Sequence, residues 1–206
     1  MDGARELKQV GGDLQVVEIR HRLANCFQLL TGLIQFRLTQ TPDGESKRQL
    51  AGLQDAVASL GLLQQRLAAA GSDGFRDYLA EATDLWRHLT FDRGISIVLE
   101  ANDIGISANK ATPLALILHE LLTNCCEHAF PNERAGTIHV SLKNSTDGIG
   151  ELAVIDDGVG LPRERPVKQS FGFSVVNRLT SQLGGTFLIE NNFPGAKARI
   201  AFPLRL

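Results

Sequence analysis

Apolar residues in the first seventy positions recur at alternating spacings of three and four, the period of a helix with one buried face. Two such runs occur, and the turn-forming segment Thr41-Pro42-Asp43-Gly44 separates them. Two antiparallel helices would each leave an apolar stripe that one neighbour cannot cover. The pattern therefore predicts that two copies of the chain pair into a four-helix bundle. The runs are Val16, Ile19, Leu23, Cys26, Leu30 and Leu33, then Leu50, Leu53, Val57, Leu60 and Leu67.

From Gly74 onward the apolar positions alternate between helical spacing and the period of two that marks a strand. Helices are predicted over 75–89, from Pro113 to Ala129 and after Gly172, and Asp147-Gly148 predicts a hairpin turn. This order of elements favours helices on one face of a mixed sheet, an α/β sandwich. The whole chain is thus predicted to be α+β, with a helical hairpin over 1–73 and a second domain over 74–206. Strands are predicted at 95–99, 137–142, 151–155, 186–190 and 198–202.

Charge and composition exclude several classes of partner. The 206 residues include 21 basic and 23 acidic side chains, well mixed, so the sequence indicates neither a nucleic-acid footprint nor an anionic-membrane surface. No run approaches the ~20 apolar residues of a membrane span. Three cysteines without a C-x-x-C pair favour a reducing cytoplasm, and Cys125 and Cys126 are expected to fill core space.

An acidic and an amide side chain on the helix predicted from Pro113 to Ala129 suit a hard cation. Glu120 and Asn124 are four residues apart and share one helix face. Magnesium takes oxygen ligands and keeps several waters, so one or two protein atoms would suffice if phosphates carried the ion in. His119, His128 and His139 are not spaced from one another or from a cysteine as the ligands of a metal site would be.

A second group of residues suits a nucleotide base and its phosphates. Asp156 follows the apolar run 152–155, and its carboxylate could accept from an exocyclic amine, while Gly158 and Gly160 let backbone and ligand approach closely. Gly172 opens the last helical pattern, and a helix N-terminus favours phosphate oxygens. The P-loop pattern is absent.

The segments Leu118 to Asn124, Asp156 to Gly160 and Ser170 to Phe173, in this order, resemble the ATP-binding boxes shared by histidine kinases and their GHKL relatives. Glu18-Ile19-Arg20-His21-Arg22, continuing to Gln28, is similar to the phosphoacceptor helix of one bacterial histidine-kinase subfamily. The resemblance implies ATP and Mg²⁺ as cofactors. It also implies catalytic roles for His21 and Glu120, metal contacts from Glu120 and Asn124, and nucleotide contacts from Asn124, His128, Asp156, Gly158, Gly160, Gly172 and Phe173. Glu18, one turn before His21, is a further catalytic candidate, because it could orient the imidazole ring or accept its proton.

His21 lies two positions from both Ile19 and Leu23, which turns it off the apolar stripe toward solvent. A neutral imidazole is a competent nucleophile near pH 7. The sequence therefore predicts a cytoplasmic, dimeric histidine kinase core that phosphorylates His21 from ATP and passes the phosphoryl group to a response-regulator receiver domain. Sensing is expected from another protein or domain.

Three departures from the family pattern leave other functions open. Glu127 stands where relatives usually carry lysine, Ala24 and Cys26 replace lysine and asparagine, and the last box has only Gly172. One alternative is a histidine phosphotransfer protein with a vestigial nucleotide domain, which relays phosphate between receiver domains. A further alternative is a binding module that sequesters a partner.

Overall fold

The computed structural model describes residues 34, 38, 44–70, 74–145, 147–161 and 171–204. Glu18, His21, most of the first predicted helix and the segment 162–170 lie outside these residues. Within the described part, no helix is both long enough and apolar enough to cross a membrane.

The chain divides into two compact units, Met1–Gly71 and Ser72–Leu206, two residues before the boundary predicted from sequence. In the first unit, helix α1 spans Glu45–Ala70 and carries the second apolar run.

The described residues of the second unit form three α-helices and five strands. Helix α2 spans Gly74–Thr90, and a 3₁₀ turn over Phe91–Arg93 leads into strand β1, Ile95–Ala101. Helix α3 spans Ala108–Asn124 and continues as a π-helical segment, Cys125–Ala129. Strands β2, Gly136–Asn144, and β3, Ile149–Asp156, form a hairpin. Helix α4, Phe171–Gln182, precedes strands β4, Thr186–Asn191, and β5, Ala196–Pro203.

The five strands form one mixed sheet in the order β1-β2-β3-β5-β4. Strands β1 and β2 are parallel, and the other three pairs are antiparallel. Apolar and polar residues alternate along β2, so one face of the strand is buried. Ile138, Val140 and Leu142 are buried on that face, whereas His139 is exposed on the other. Gly148, with φ 73°, makes the turn between β2 and β3. The predicted α+β class and its mixed sheet are confirmed.

Helix α3 starts five residues before the predicted position at Pro113. The carbonyl of Ser107 accepts hydrogen bonds from the backbone N–H groups of Lys110 and Ala111, which begins the helix ahead of the proline. The buried Lys110 side chain extends from this first turn to the end of β5. Its Nζ donates to the carbonyl oxygens of Pro203 at 2.6 Å and Leu204 at 2.9 Å. The start of α3 is thus tied to the last strand.

Helices α3 and α4 pack against each other, and this contact sets the place of the candidate site. The last turn of α3 lies near the first turn of α4, and the π-helical segment contacts the residues that follow β3. Residues 120–129, 156–161 and 172–173 therefore gather at one end of this unit.

Candidate nucleotide site

Asp156 is the last residue of β3 and is buried, with 5% of its surface exposed. Its Oδ1 accepts the backbone N–H of Gly158 at 2.9 Å and that of Ala196 at 3.2 Å. Its Oδ2 lies 3.7 Å from the Sγ of Cys125. Because a buried carboxylate needs such donors, its orientation is fixed before any ligand arrives. One lone pair of Oδ2 is left for a further donor.

The two glycines after Asp156 are required by close packing rather than only by a ligand. A side chain at Gly158 would collide with the carbonyl oxygen of Ala129, which also accepts the backbone N–H of Val159 at 3.0 Å. Gly160 has φ 77°, and a Cβ there would lie 2.7 Å from the Oδ1 of Asn191. Both positions favour glycine because other residues would clash or adopt a strained backbone. The loop therefore passes close to the π-helical segment on one side and to β4 on the other.

Glu120, Asn124 and Gly172 come together where α3 ends and α4 begins. The Nδ2 of Asn124 donates to the Glu120 carbonyl at 2.7 Å, so its amide oxygen is turned away from the helix axis. A Cβ on Gly172 would lie 2.9 Å from the Oε2 of Glu120 and 3.6 Å from the Nδ2 of Asn124. Burial raises the pKa of Glu120, and the nearby negative charge of Glu127 raises it further.

The π-helical segment displays two of its side chains to solvent. Its wider turn is of a kind often found at functional sites. Glu127 and His128 are both exposed, and the Nε2 of His128 lies 3.9 Å from the Oε2 of Glu127. One helix was predicted from Pro113 to Ala129, but the α-helix ends at Asn124 and the π-helical segment follows. His128 therefore lies on the surface beside Glu127.

Phe173 occupies the interior of this unit. Its ring is buried and stacks on Phe187 of β4, with centroids 5.9 Å apart and planes 28° apart. The packing seats the first turn of α4 on the sheet. Phe173 thereby fixes the position of Gly172, its neighbour in the chain.

Three further residues shape the site without a signal in the local sequence pattern. The Oδ1 of Asn191 accepts the backbone N–H of Leu161 at 2.8 Å, thirty positions away in the chain. The Nη2 of Arg134 donates to the backbone carbonyl of Asp157 at 2.9 Å. Cys125 was expected to fill the core, but it is only partly buried and contacts Asp156. Such contacts depend on the folded chain, so spacing alone could not identify them.

The two cysteines differ in their surroundings. Burial, the negative charge of Asp156 and the neighbouring Cys126 hold the pKa of the Cys125 thiol well above its ordinary value. Burial raises the pKa of Cys126 to about 11, although the positive charge of Arg93 acts in the opposite direction. Both thiols are therefore neutral near pH 7. A neutral thiol can donate a weak hydrogen bond, which suits the contact between Cys125 and Asp156.

The described residues contain no cluster of three or more His, Cys, Asp or Glu side chains that could hold a metal ion by themselves. Glu120 and Asn124 nevertheless supply two oxygen-bearing side chains at one point, on the same helix turn. This donor set fits Mg²⁺ accompanied by phosphate, because the ion retains water and needs few protein ligands. It does not fit an ion held by protein alone.

Two family models match successive parts of the chain. A family model described as histidine kinase matches residues 18–89. A second, described as histidine kinase-, DNA gyrase B- and HSP90-like ATPase, matches residues 109–206. The chain is 25% identical over 201 residues to blue-light-activated histidine kinase 2 of Erythrobacter litoralis, covering 93% of this chain and 58% of that protein. It is 27% identical over 186 residues to sensor histidine kinase PdtaS of Mycobacterium tuberculosis, covering 86% of this chain and 36% of that protein.

Solved structures agree on the fold. The histidine kinase domain of an Erythrobacter litoralis blue-light activated histidine kinase superposes with a TM-score of 0.68 at 24% identity. That match covers 99% of this chain and 95% of the domain. The chain spans between about a third and three fifths of the curated relatives it matches. With a histidine-kinase segment followed by an ATPase-type domain, the chain belongs to the histidine kinases.

Proposed function

We propose that this chain is an ATP-dependent histidine kinase core that phosphorylates His21 and transfers the phosphoryl group to an aspartate of a response-regulator receiver domain. The observation that carries the nucleotide part is Asp156, a buried carboxylate already oriented by two backbone donors, with Oδ2 able to accept one more. Such an acceptor suits the exocyclic amine of adenine. Family membership supports the kinase class in general.

Each half of the site has a separate task in this proposal. Asp156 reads the adenine amine, and the tight turn through Gly158 and Gly160 admits the base and sugar. Glu120 and Asn124 would hold Mg²⁺, which would keep phosphate oxygens and water as its other ligands. The start of α4 at Gly172 faces the phosphates, and His128 is a further candidate contact to them.

In the transfer step, a ring nitrogen of His21 forms a bond to the γ-phosphorus while the bond from that phosphorus to the β,γ-bridging oxygen breaks. ADP leaves with the bridging oxygen's electron pair, and the imidazole loses its N–H proton to a base. Glu120 and Glu18 are the candidates for that base. Mg²⁺, when bound, neutralises charge on the phosphates. The chain itself mainly positions groups, as is usual in phosphoryl transfer.

The remaining assignments follow the same proposal. We infer that two copies pair through the helical unit and that a receiver domain is the second partner. The relatives are named as sensor and blue-light-activated kinases, and this chain covers only part of each, so the stimulus would reach this core from another domain or protein. Cys125 and Cys126 are free thiols, which supports a location in the reducing cytoplasm.

The proposal is tested by incubating the chain with ATP labelled on its γ-phosphate and following acid-labile label. The wild type should take label, whereas His21→Ala should bind ATP normally but take none. Asp156→Asn should bind ATP roughly 10- to 100-fold more weakly, because an amide N–H₂ would face the adenine amine donor to donor. Label on His21→Ala at the wild-type rate would show that another residue is the acceptor.

Glu127 favours a second candidate function, the histidine phosphotransfer relay. It places an exposed carboxylate near Glu120, which opposes a polyphosphate ligand. In this case the chain would take no label from ATP but would accept it from a phosphorylated receiver domain. The same labelling experiment, run with both donors, separates the two functions.

A further inference from the structure

The thiol of Cys125 lies beside the carboxylate that would recognise adenine. Its Sγ is 3.7 Å from the Oδ2 of Asp156, within range of a hydrogen bond to sulfur. The other oxygen, Oδ1, is occupied by the backbone N–H groups of Gly158 and Ala196. The adenine amine would therefore donate to the same oxygen that the thiol contacts.

We propose that Cys125 is a positioning residue for recognition of the 6-amino group of a purine nucleotide. Its S–H donates to one lone pair of Asp156 Oδ2 and so directs the other lone pair toward the amine. This inference rests on the proposed ATP site and names the residue that orients its base-reading carboxylate.

The backbone holds Cys125 firmly enough for such a role. Its N–H donates to the carbonyl oxygens of Leu121 and Leu122, at the point where α3 becomes π-helical. The side chain is thereby presented to β3 at a fixed place. A thiol S–H is a weak donor without charge, so it can donate to the carboxylate oxygen that it contacts.

Cys126 is a natural control within the same segment. It follows Cys125 directly and has the same side chain, but it is buried in the interior. No hydrogen bond joins it to Asp156 within the described residues. Replacing Cys126 therefore removes a buried thiol from the same segment without removing a donor to Asp156.

The experiment measures by calorimetry how the full chain binds ATP and purine riboside triphosphate, which lacks only the 6-amino group, both with Mg²⁺. Cys125→Ala should weaken ATP binding about three- to tenfold and leave purine riboside triphosphate binding unchanged. Cys125→Ser, which keeps a donor, should restore most of the ATP affinity. Cys126→Ala should leave the ratio of the two affinities at the wild-type value.

The outcomes separate the inference from the function on which it rests. If wild type binds ATP but Cys125→Ala weakens both nucleotides equally, the residue acts through packing and the inference is wrong. Unchanged or tighter ATP binding by Cys125→Ala would also overturn it, because the thiol would then be idle or competing with the amine. If wild type binds neither nucleotide, the proposed function itself falls.

Discussion

The charge of a single residue, Glu127, affects how well the candidate site can bind the phosphates of a nucleotide. It stands where the family pattern usually has lysine, and its carboxylate adds to the effect of burial in raising the pKa of Glu120. Both side chains reach solvent, so their repulsion is partly screened but not abolished. Two neighbouring carboxylates disfavour the phosphates of ATP unless a cation lies between them.

Reversing this charge should strengthen nucleotide binding. We expect Glu127→Lys to tighten ATP binding roughly three- to tenfold at low ionic strength, with a smaller gain at high salt, because one repulsion becomes an attraction. Glu190→Lys, at an exposed position on β4, makes the same change of charge as a control. Calorimetry at two salt concentrations measures the effect. Equal affinity for both variants and wild type would mean that Glu127 does not face the phosphates.

Glu120 should make the fold less stable as the pH rises. Its pKa in the folded chain is raised above the ordinary 4.5, so the folded state binds more protons than the unfolded state just above pH 4.5. Stability is therefore lost as the pH rises through the folded pKa. We expect Glu120→Gln to be more stable than wild type at pH 7, by less than about 1 kcal/mol since the side chain is only partly buried and solvent screens its charge.

Thermal unfolding across pH measures this difference, which should disappear below pH 4.5, where both side chains are uncharged. The variant should also lose labelling by ATP, since it lacks the carboxylate proposed for the cation. A difference in stability that persisted unchanged at low pH would point to packing instead of ionisation.

At the scale of elements, the sequence predicted all five strands and the helices of the second unit, because period-two and helical spacing reflect burial on one face. It could not predict the pairing order β3-β5-β4 or the π-helical segment. Those features depend on contacts such as Gly158 against Ala129, between residues distant in sequence. The candidate site residues 120, 124, 156 and 158 were predicted from residue type and resemblance, whereas Asn191 gave no signal of its own.

The junction of α3 and α4 gives a prediction that separates function from stability. Gly172→Ala would place a Cβ 2.9 Å from the Oε2 of Glu120, the far end of a flexible side chain. The fold should tolerate this, helped by the better helix propensity of alanine. The displaced carboxylate should slow labelling by ATP roughly ten- to hundredfold.

Gly158→Ala is the contrasting variant, because its Cβ would meet the backbone carbonyl of Ala129. Backbone cannot move aside as a side chain can, so this change should destabilise the fold by about 1–3 kcal/mol. Melting curves and labelling rates of the two variants test the distinction. A large loss of stability in Gly172→Ala would contradict the view that this glycine affects the position of Glu120 rather than the stability of the fold.

At the scale of the molecule, the boundary between Gly71 and Ser72 separates the proposed phosphoacceptor from the proposed nucleotide site. We expect residues 72–206, produced alone, to bind ATP within about twofold of the full chain, because the whole sheet and all the candidate nucleotide contacts lie in that unit. They should take no label, since His21 is absent. Adding the full-length Asp156→Asn chain, which keeps His21, should restore label on that longer chain.

Calorimetry and a labelling gel measure the two effects. Loss of ATP binding by residues 72–206 would mean that the first unit completes the nucleotide site.

The bond from Lys110 to the end of β5 has a consequence for how rigid the site is. Helix α3 carries Glu120 and Asn124 toward its far end, while its first turn is held to Pro203 and Leu204. The opposite end of β5 donates from Ala196 to Asp156. Strand β5 is therefore bonded at one end to the helix that would hold the cation. At its other end it is bonded to Asp156, which would bind the base. The two binding points for a nucleotide are therefore held at a fixed separation before the nucleotide arrives. Binding then costs little conformational entropy, because the protein does not have to order them.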